Sequence, residues 1–272
     1  MDVSELRSWV TSQLAENDQY KSSYENQDLK NIIQCIDLTT LNATDSPKSV
    51  LEFVNSGREF LYERNLPSVA AICVFSNFTS LVRKSLEGSG ISTACVATCF
   101  PHGQASLDVK VLEVESAKDQ GADEIDVVIN RGQVLDGDDE SVFNEMVAFK
   151  EAAGDVHVKV ILEVCELTLE QVYRVSQLAI KAGADFLKTS TGKGVSGASL
   201  EASMIMCLAI KEHYDLTGKM IGFKAAGGIS TSDVAIQYYN MVSSILGKKW
   251  LNNAYFRIGA SSLLKNLVED LK

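Results

Sequence analysis

Eight short runs of β-branched and apolar residues recur along the chain: IIQCIDLT (32–39), AAICVF (70–75), STACVATC (92–99), EIDVVIN (124–130), HVKVILEV (157–164), DFLKTS (185–190), GFKAAGG (222–228) and FRIGAS (256–261). Between them lie stretches with helical periodicity, among them SVLEFVNSGREFLYERN (49–65), SLDVKVLEVESAKDQG (106–121), LEQVYRVSQLAIKAG (169–183) and LEASMIMCLAIKEHY (200–214), several of which close on glycine as helices tend to. Strand and helix alternate throughout. Eight such units with right-handed crossovers predict a closed parallel (β/α)8 barrel, an α/β fold of the TIM type, rather than an open doubly wound sheet. No GxGxxG follows the first strand to argue for a dinucleotide-binding fold.

Residues 4–14 place Leu6, Trp9, Val10 and Leu14 on one helical face, and a polar stretch runs from Asn17 to Gln27. The expected organisation is therefore an N-terminal helical extension, 1–30, ahead of a single barrel domain, 31–272. The acidic run DGDDE (136–140) lacks the pattern of a calcium loop and is read as a solvated loop leading into a helix. The six cysteines lie mostly in apolar runs without a Cys-x-x-Cys pair, as reduced core thiols do.

The net charge of −11, with no dense Lys/Arg cluster, opposes nucleic acid and anionic membranes as partners. A small anionic metabolite is still allowed, because it answers to a few local donors. With no signal segment and no membrane-length apolar run, a cytoplasmic location is the expectation.

Alternation along the strands separates a helix-facing side from an axial side. In the fourth run Ile125, Val127 and Ile129 face the helices, leaving Glu124, Asp126, Val128 and Asn130 toward the axis. The same parity turns Lys159, Ile161 and Glu163 inward from the fifth run, and Phe186, Lys188 and Ser190 from the sixth. Lys224 does so from the seventh, and Asp37 and Thr39 from the first.

One buried lysine is readily explained by a carboxylate partner. Three inward lysines with at least two acids cost several kcal/mol per ion in desolvation, which aliphatic side chains would avoid, so they point to a functional constellation.

Lysines in such a place suit amine catalysis. A lysine attacks a carbonyl only when neutral, and both desolvation and a neighbouring cation favour the neutral form. The iminium that results withdraws electrons from the adjacent carbon and permits carbon–carbon bond cleavage or formation, with Asp126 moving protons directly or through a water. Zinc-assisted aldol chemistry is the rival. It needs converging ligands, whereas His102, His157 and His213 fall after one strand, at the start of another and in a helix.

The loops after the seventh and eighth runs read AGGIS (226–230) and GASS (259–262), and Gly192 and Lys193 follow the sixth. Barrel enzymes often hold phosphate at such loops, so Gly192, Lys193, Gly227, Gly228, Gly259, Ser261 and Ser262 are candidate phosphate donors. Together with the lysines they suggest an aldehyde or ketone substrate with a terminal phosphate.

IDLTTL (36–41), FPHG (100–103), EIDVVIN, KTSTGK (188–193), GFKAAGG and FRIGASSLL (256–264), in this order from about Ile32 to near the C-terminus, together resemble the deoxyribose-phosphate aldolase family of class I aldolases. The resemblance implies reversible cleavage of 2-deoxy-D-ribose 5-phosphate into D-glyceraldehyde 3-phosphate and acetaldehyde in deoxyribose phosphate catabolism, with no metal and no organic cofactor. It implies that Lys188 forms the Schiff base, that Lys224 lowers its pKa and that Asp126 transfers protons. Lys159 and Asp37 match supporting polar positions, and Cys73 matches a cysteine that aldehyde products modify in some relatives.

Three positions depart from the family pattern. Ala225 stands where proline is common, Ser230 where an arginine follows the glycine pair and an aliphatic residue, and Cys99 where many relatives have asparagine. Other Schiff-base barrel enzymes, such as transaldolases, and a catalytically silent phosphosugar-binding protein remain the competing readings. Assembly as a homodimer or other homo-oligomer is left open, and so is the role of the N-terminal extension, with packing or a subunit contact the expectation.

Overall fold

The computed structural model describes residues 3–17 and 24–271. Its centre is a closed barrel of eight parallel strands in sequential order: β1 (Ile36–Thr39), β2 (Ala71–Phe75), β3 (Ser92–Ala97), β4 (Glu124–Val128), β5 (His157–Ile161), β6 (Phe186–Lys188), β7 (Gly222–Ala226) and β8 (Phe256–Ala260). β1 pairs with both β2 and β8, with Asp37 opposite Ala71 on one side and Gly259 on the other, so the sheet has no free edge.

Helices α1 (Val3–Asn17) and α2 (Asn26–Ile33) precede β1. The outer layer consists of α3 (Pro47–Tyr62), α4 (Thr79–Ser85), α5 (Leu107–Asp119), α6 (Arg131–Asp136), α7 (Asp139–Ala153), α8 (Leu169–Lys181), α9 (Leu200–Thr217), α10 (Ser232–Ile245) and α11 (Leu263–Glu269). Local chemistry sets their starts. Ser46 caps α3 just before Pro47, Thr168 and Gln171 form a capping box on α8, and the Ser199 and Thr231 hydroxyls accept from Ala202 N and Val234 N at the starts of α9 and α10.

The helix-facing side of each strand builds the main core. Ile72, Val74, Cys95, Ile125, Val127, Val158, Val160, Leu187, Phe223, Ala225 and Ile258 are all buried in it with the apolar faces of the helices. Axial Ala71, Cys73, Ala94 and Val96 form a separate small cluster with Leu41. The parity derived for β4 to β7 is therefore the parity observed, and the departure at Ala225 lies in the barrel wall.

The run IIQCIDLT is not a continuous strand. Its Ile32 and Ile33 end α2, whose capping box joins Glu25 and Asp28, and only Ile36–Thr39 pair in the sheet. Three residues with helical spacing, Leu29, Ile32 and Ile33, are buried together, so a helix resting against α10 and α11 satisfies the same hydrophobic signal. Gln27, expected in a linker, belongs to this helix, and residues 18–23 of that linker lie outside the described residues.

Helix α1 buries Leu6 and Val10 and packs against α9 and α10. The DGDDE run is a tight turn between two helices: Asp136 ends α6, Gly137 is left-handed, and Asp138 caps α7 by accepting from Ser141 N. All six cysteines are free thiols, with Cys35, Cys73, Cys95 and Cys207 buried. No helix among the described residues is long and apolar enough to cross a membrane.

Candidate active site

Lys188 ends β6, and its register partners are Ile161 on β5 and Lys224 on β7. Its Nζ donates to Asp126 Oδ2 at 2.7 Å, and Lys224 Nζ donates to the same oxygen at 2.7 Å. The second Asp126 oxygen accepts from Lys159 Nζ at 3.1 Å. Lys224 also donates to Asp37 Oδ2, and Lys159 to Glu124 Oε2. Asp37, Asp126, Lys159 and Lys224 are wholly buried, and Lys188 is 3% exposed.

The electrostatics divide the three lysines. For Lys188, burial disfavours the ammonium most strongly; Asp126 opposes this, Lys224 adds to it, and the net direction is downward from the ordinary lysine value. Lys224 and Lys159 suffer the same desolvation, but Asp126 with Asp37, and for Lys159 also Glu124, outweighs it and raises both. Burial alone would raise the Asp126 carboxyl, yet Lys159, Lys188 and Lys224 hold it well below the usual range. Asp37 is likewise lowered against its own desolvation by Lys224, Arg257 and Lys159.

A cavity of about 480 Å³ opens above this cluster at the C-terminal ends of the strands. Lys188 reaches it, and so do Thr39, Thr191, Gly192, Lys193, Gly227, Gly228, Ser230, Gly259, Ser261 and Ser262. All seven candidate phosphate residues thus share one cavity with the candidate nucleophile. The departure at Ser230 lies in that cavity as well. A larger cavity, about 670 Å³, lies at the opposite end of the barrel, where Ser92, Glu124, His157 and Arg257 line it.

The loops after β6 and β7 meet through glycines. Gly227 is left-handed at φ 86°, and the carbonyl oxygens of Ala226 and Gly227 both accept from Ala198 N, at 3.0 and 3.2 Å. Gly197 packs so closely on Gly227 that a β-carbon there would lie 2.1 Å from the Gly227 carbonyl oxygen.

Cys73 faces the axis from β2 within the field of Asp126 and Lys224, and burial pushes its thiol up to about 11. Cys99 and Thr98 after β3 are left-handed, at φ 57° and 65°. Asparagine adopts that region more easily than cysteine, which gives the Cys99 departure a physical meaning.

Two residues behave differently from the sequence reading. Glu163, placed axially by parity, follows the end of β5 in a left-handed conformation, and its carboxylate accepts from Thr191 N and Oγ1 instead of a lysine. Arg257 escaped notice within FRIGAS. It is 5% exposed and donates to Asp37 Oδ1 at 2.6 Å and to Glu124 Oε1 at 2.7 Å. Applied to β8, the parity rule would have found it, since Arg257 alternates with the buried Phe256 and Ile258.

The three histidines stand apart, on α9, at the start of β5 and in the loop after β3. The chemistry on offer is that of a buried amine beside a carboxylate.

Comparison with known proteins agrees in fold and in family. Residues 31–266 match the model of the DeoC/LacD family aldolase. Deoxyribose-phosphate aldolase from Mus musculus is 39% identical over 248 residues, 87% of this chain and 78% of the mouse protein. The Homo sapiens deoxyribose-phosphate aldolase is 38% identical over 248 residues, again 87% of this chain and 78% of its own. The crystal structure of a Coccidioides immitis protein superposes with a TM-score of 0.73 at 27% identity, covering 99% of this chain and 98% of the other. A barrel with its amine cluster at the strand ends, matched over most of its length by these proteins, belongs to the DeoC/LacD family of aldolases.

Proposed function

We propose that the chain reversibly cleaves 2-deoxy-D-ribose 5-phosphate to D-glyceraldehyde 3-phosphate and acetaldehyde through a Schiff base on Lys188. The observation that carries this reading is the position of Lys188: buried, in contact with Asp126, and open to a cavity whose walls include the glycine and serine loops. At about 480 Å³ the cavity lies within the usual range for small-ligand sites.

In the cleavage direction the neutral Lys188 amine adds to the aldehyde carbon of the open-chain sugar, and loss of water gives the protonated iminium. Asp126 accepts the proton of the C3 hydroxyl. The C2–C3 bond then breaks with its electron pair drawn into the iminium, which becomes an enamine as glyceraldehyde 3-phosphate leaves. Protonation of the enamine carbon and addition of water to the new iminium release acetaldehyde and return the amine.

Asp126 suits this role because the surrounding lysines hold it ionised against its burial, so that it is a carboxylate able to accept a proton. Gly192, Lys193, Gly227, Gly228, Gly259, Ser261 and Ser262 hold the phosphate, and Lys159 and Asp37 orient Asp126 and Lys224.

Borohydride trapping tests the reading, first with acetaldehyde and then with deoxyribose 5-phosphate, the adduct being located by mass spectrometry. A reduced adduct on Lys188 from both, and loss of turnover in a folded Lys188→Ala variant, is the expected result. Binding of the phosphosugar without any Lys188 adduct would instead make the chain a silent binding protein.

A further inference from the structure

The buried ions around the barrel axis can be counted. Three carboxylates, Asp37, Asp126 and Glu124, face four bases, Lys159, Lys188, Lys224 and Arg257. From the other strands, β3 contributes only the apolar Ala94 and Val96, and β2 contributes the thiol of Cys73, which burial keeps neutral. Glu163 stands outside this network: it accepts from Thr191 and, among the described residues, makes no ion pair with any of the four bases. Among the described residues, therefore, the cluster has one base too many.

Burying a net charge is costly, so a cluster of this kind favours the state with three cations. Which base gives up its proton follows from the contacts. A guanidinium stays charged at any pH of interest. Lys159 has carboxylate oxygens of Asp37, Glu124 and Asp126 within 3.5 Å, and Lys224 has Asp37 and Asp126. Lys188 has only Asp126, which it shares with the other two.

We propose that Arg257 is a positioning residue for catalysis: by permanently neutralising Glu124 and one face of Asp37 it uses up carboxylate charge, and so leaves Lys188 as the amine without a counter-ion of its own. The inference deepens the Schiff-base reading and rests on it for its biological meaning. Arg257 touches no substrate, since it lies at the far end of the axis and opens toward the opposite cavity. Its effect reaches Lys188 through the Asp37–Lys224 and Glu124–Lys159 contacts.

The count makes a distinctive prediction about pairs of variants. In Arg257→Met three acids face three lysines, and Lys188 is retained as an ammonium. Reductive alkylation of Lys188 by acetaldehyde and cyanoborohydride, quantified by mass spectrometry across pH 6 to 9, reads the amine directly. The expected result is roughly tenfold or greater loss of labelling at pH 7, recovered as the pH rises. Arg257→Lys should keep the original profile, and Glu124→Gln with Arg257→Met should restore it, because one charge of each sign is removed.

A loss that is equal at every pH, or a double variant that fails to restore the profile while its melting curve shows a folded protein, overturns the inference. If Arg257→Met does not fold, Glu124→Gln alone decides: with two acids against four bases its profile must move to lower pH, and an unmoved profile refutes the count. Labelling does not require deoxyribose 5-phosphate turnover, so failure of the substrate assignment and failure of this inference are read separately.

Discussion

Replacing Gly197 with alanine tests the loop architecture at its tightest point. The added β-carbon would lie 2.1 Å from the Gly227 carbonyl oxygen, 2.3 Å from its carbonyl carbon and 2.6 Å from its Cα. All three atoms are backbone, so no rotamer change relieves the clash, and one loop must retreat by about 1 Å to reach a contact real side chains tolerate. Overpacking of this kind costs about 1–3 kcal/mol, a fall in melting temperature of roughly 2–4 °C for each kcal/mol in a chain this large.

The functional cost should be selective. The displaced loop carries Gly227 and Gly228, and a hydrogen bond from an amide to a charged phosphate contributes about 1.5–3 kcal/mol. Loss of one such bond raises KM for deoxyribose 5-phosphate roughly 10- to 150-fold. Lys188 lies on β6, before the loop, so acetaldehyde labelling should persist, and KM for unphosphorylated deoxyribose should change little. Steady-state kinetics with both sugars, beside a thermal melt, makes the comparison. A lowered melting temperature with both KM values unchanged would refute the reasoning and place phosphate recognition elsewhere.

Lys224→Leu removes a cation that shares Asp126 with Lys188, so the acidic limb of the kcat/KM profile moves to higher pH; an unmoved limb argues against like-charge activation. The same change leaves buried carboxylates short of a partner and should cost about 3–5 kcal/mol in denaturant titration. Because Asp37 and Asp126 have lowered folded-state pKa values, the stability they contribute is present above their ordinary value of 3.8 and lost as the pH falls below it. Asp37→Asn should therefore weaken the dependence of melting temperature on pH in that acid range. Cys99→Asn, which eases a left-handed residue, should stabilise the fold by about 0.5–2 kcal/mol, read as a higher urea midpoint.

The barrel and the amine cluster were legible for one reason: a lysine or aspartate in an otherwise apolar strand breaks the alternation that packing would produce, and each break names an axial residue. Lys159, Lys188, Lys224, Asp126 and Asp37 all declared themselves in this way. In FRIGAS the glycine and serine read as a phosphate loop, yet the same alternation also marks Arg257 as axial. Helix α2 was misread because Ile32, Ile33 and Ile36 satisfy either period, and only burial of Leu29 beside them decides for a helix. Glu163 was assigned by extending strand parity beyond Ile161, where the backbone has already turned left-handed. The packing of Gly197 on Gly227 could not be foreseen, because contacts between two loops depend on their shapes and leave no periodic mark.

The barrel closes where its first strand meets its last, and the contact between Asp37 and Arg257 spans 220 positions of sequence. At translation rates of about 5–20 residues per second, roughly ten to forty seconds separate the appearance of the two partners. Throughout that interval the lysines of β5, β6 and β7 emerge into a sheet that is open along one side, where water keeps them protonated and unreactive. Only the arrival of β8 seals the axis. Chemical competence is thus the last property the growing chain acquires, and until then its axial lysines are no more open to capture by aldehydes than those of its surface.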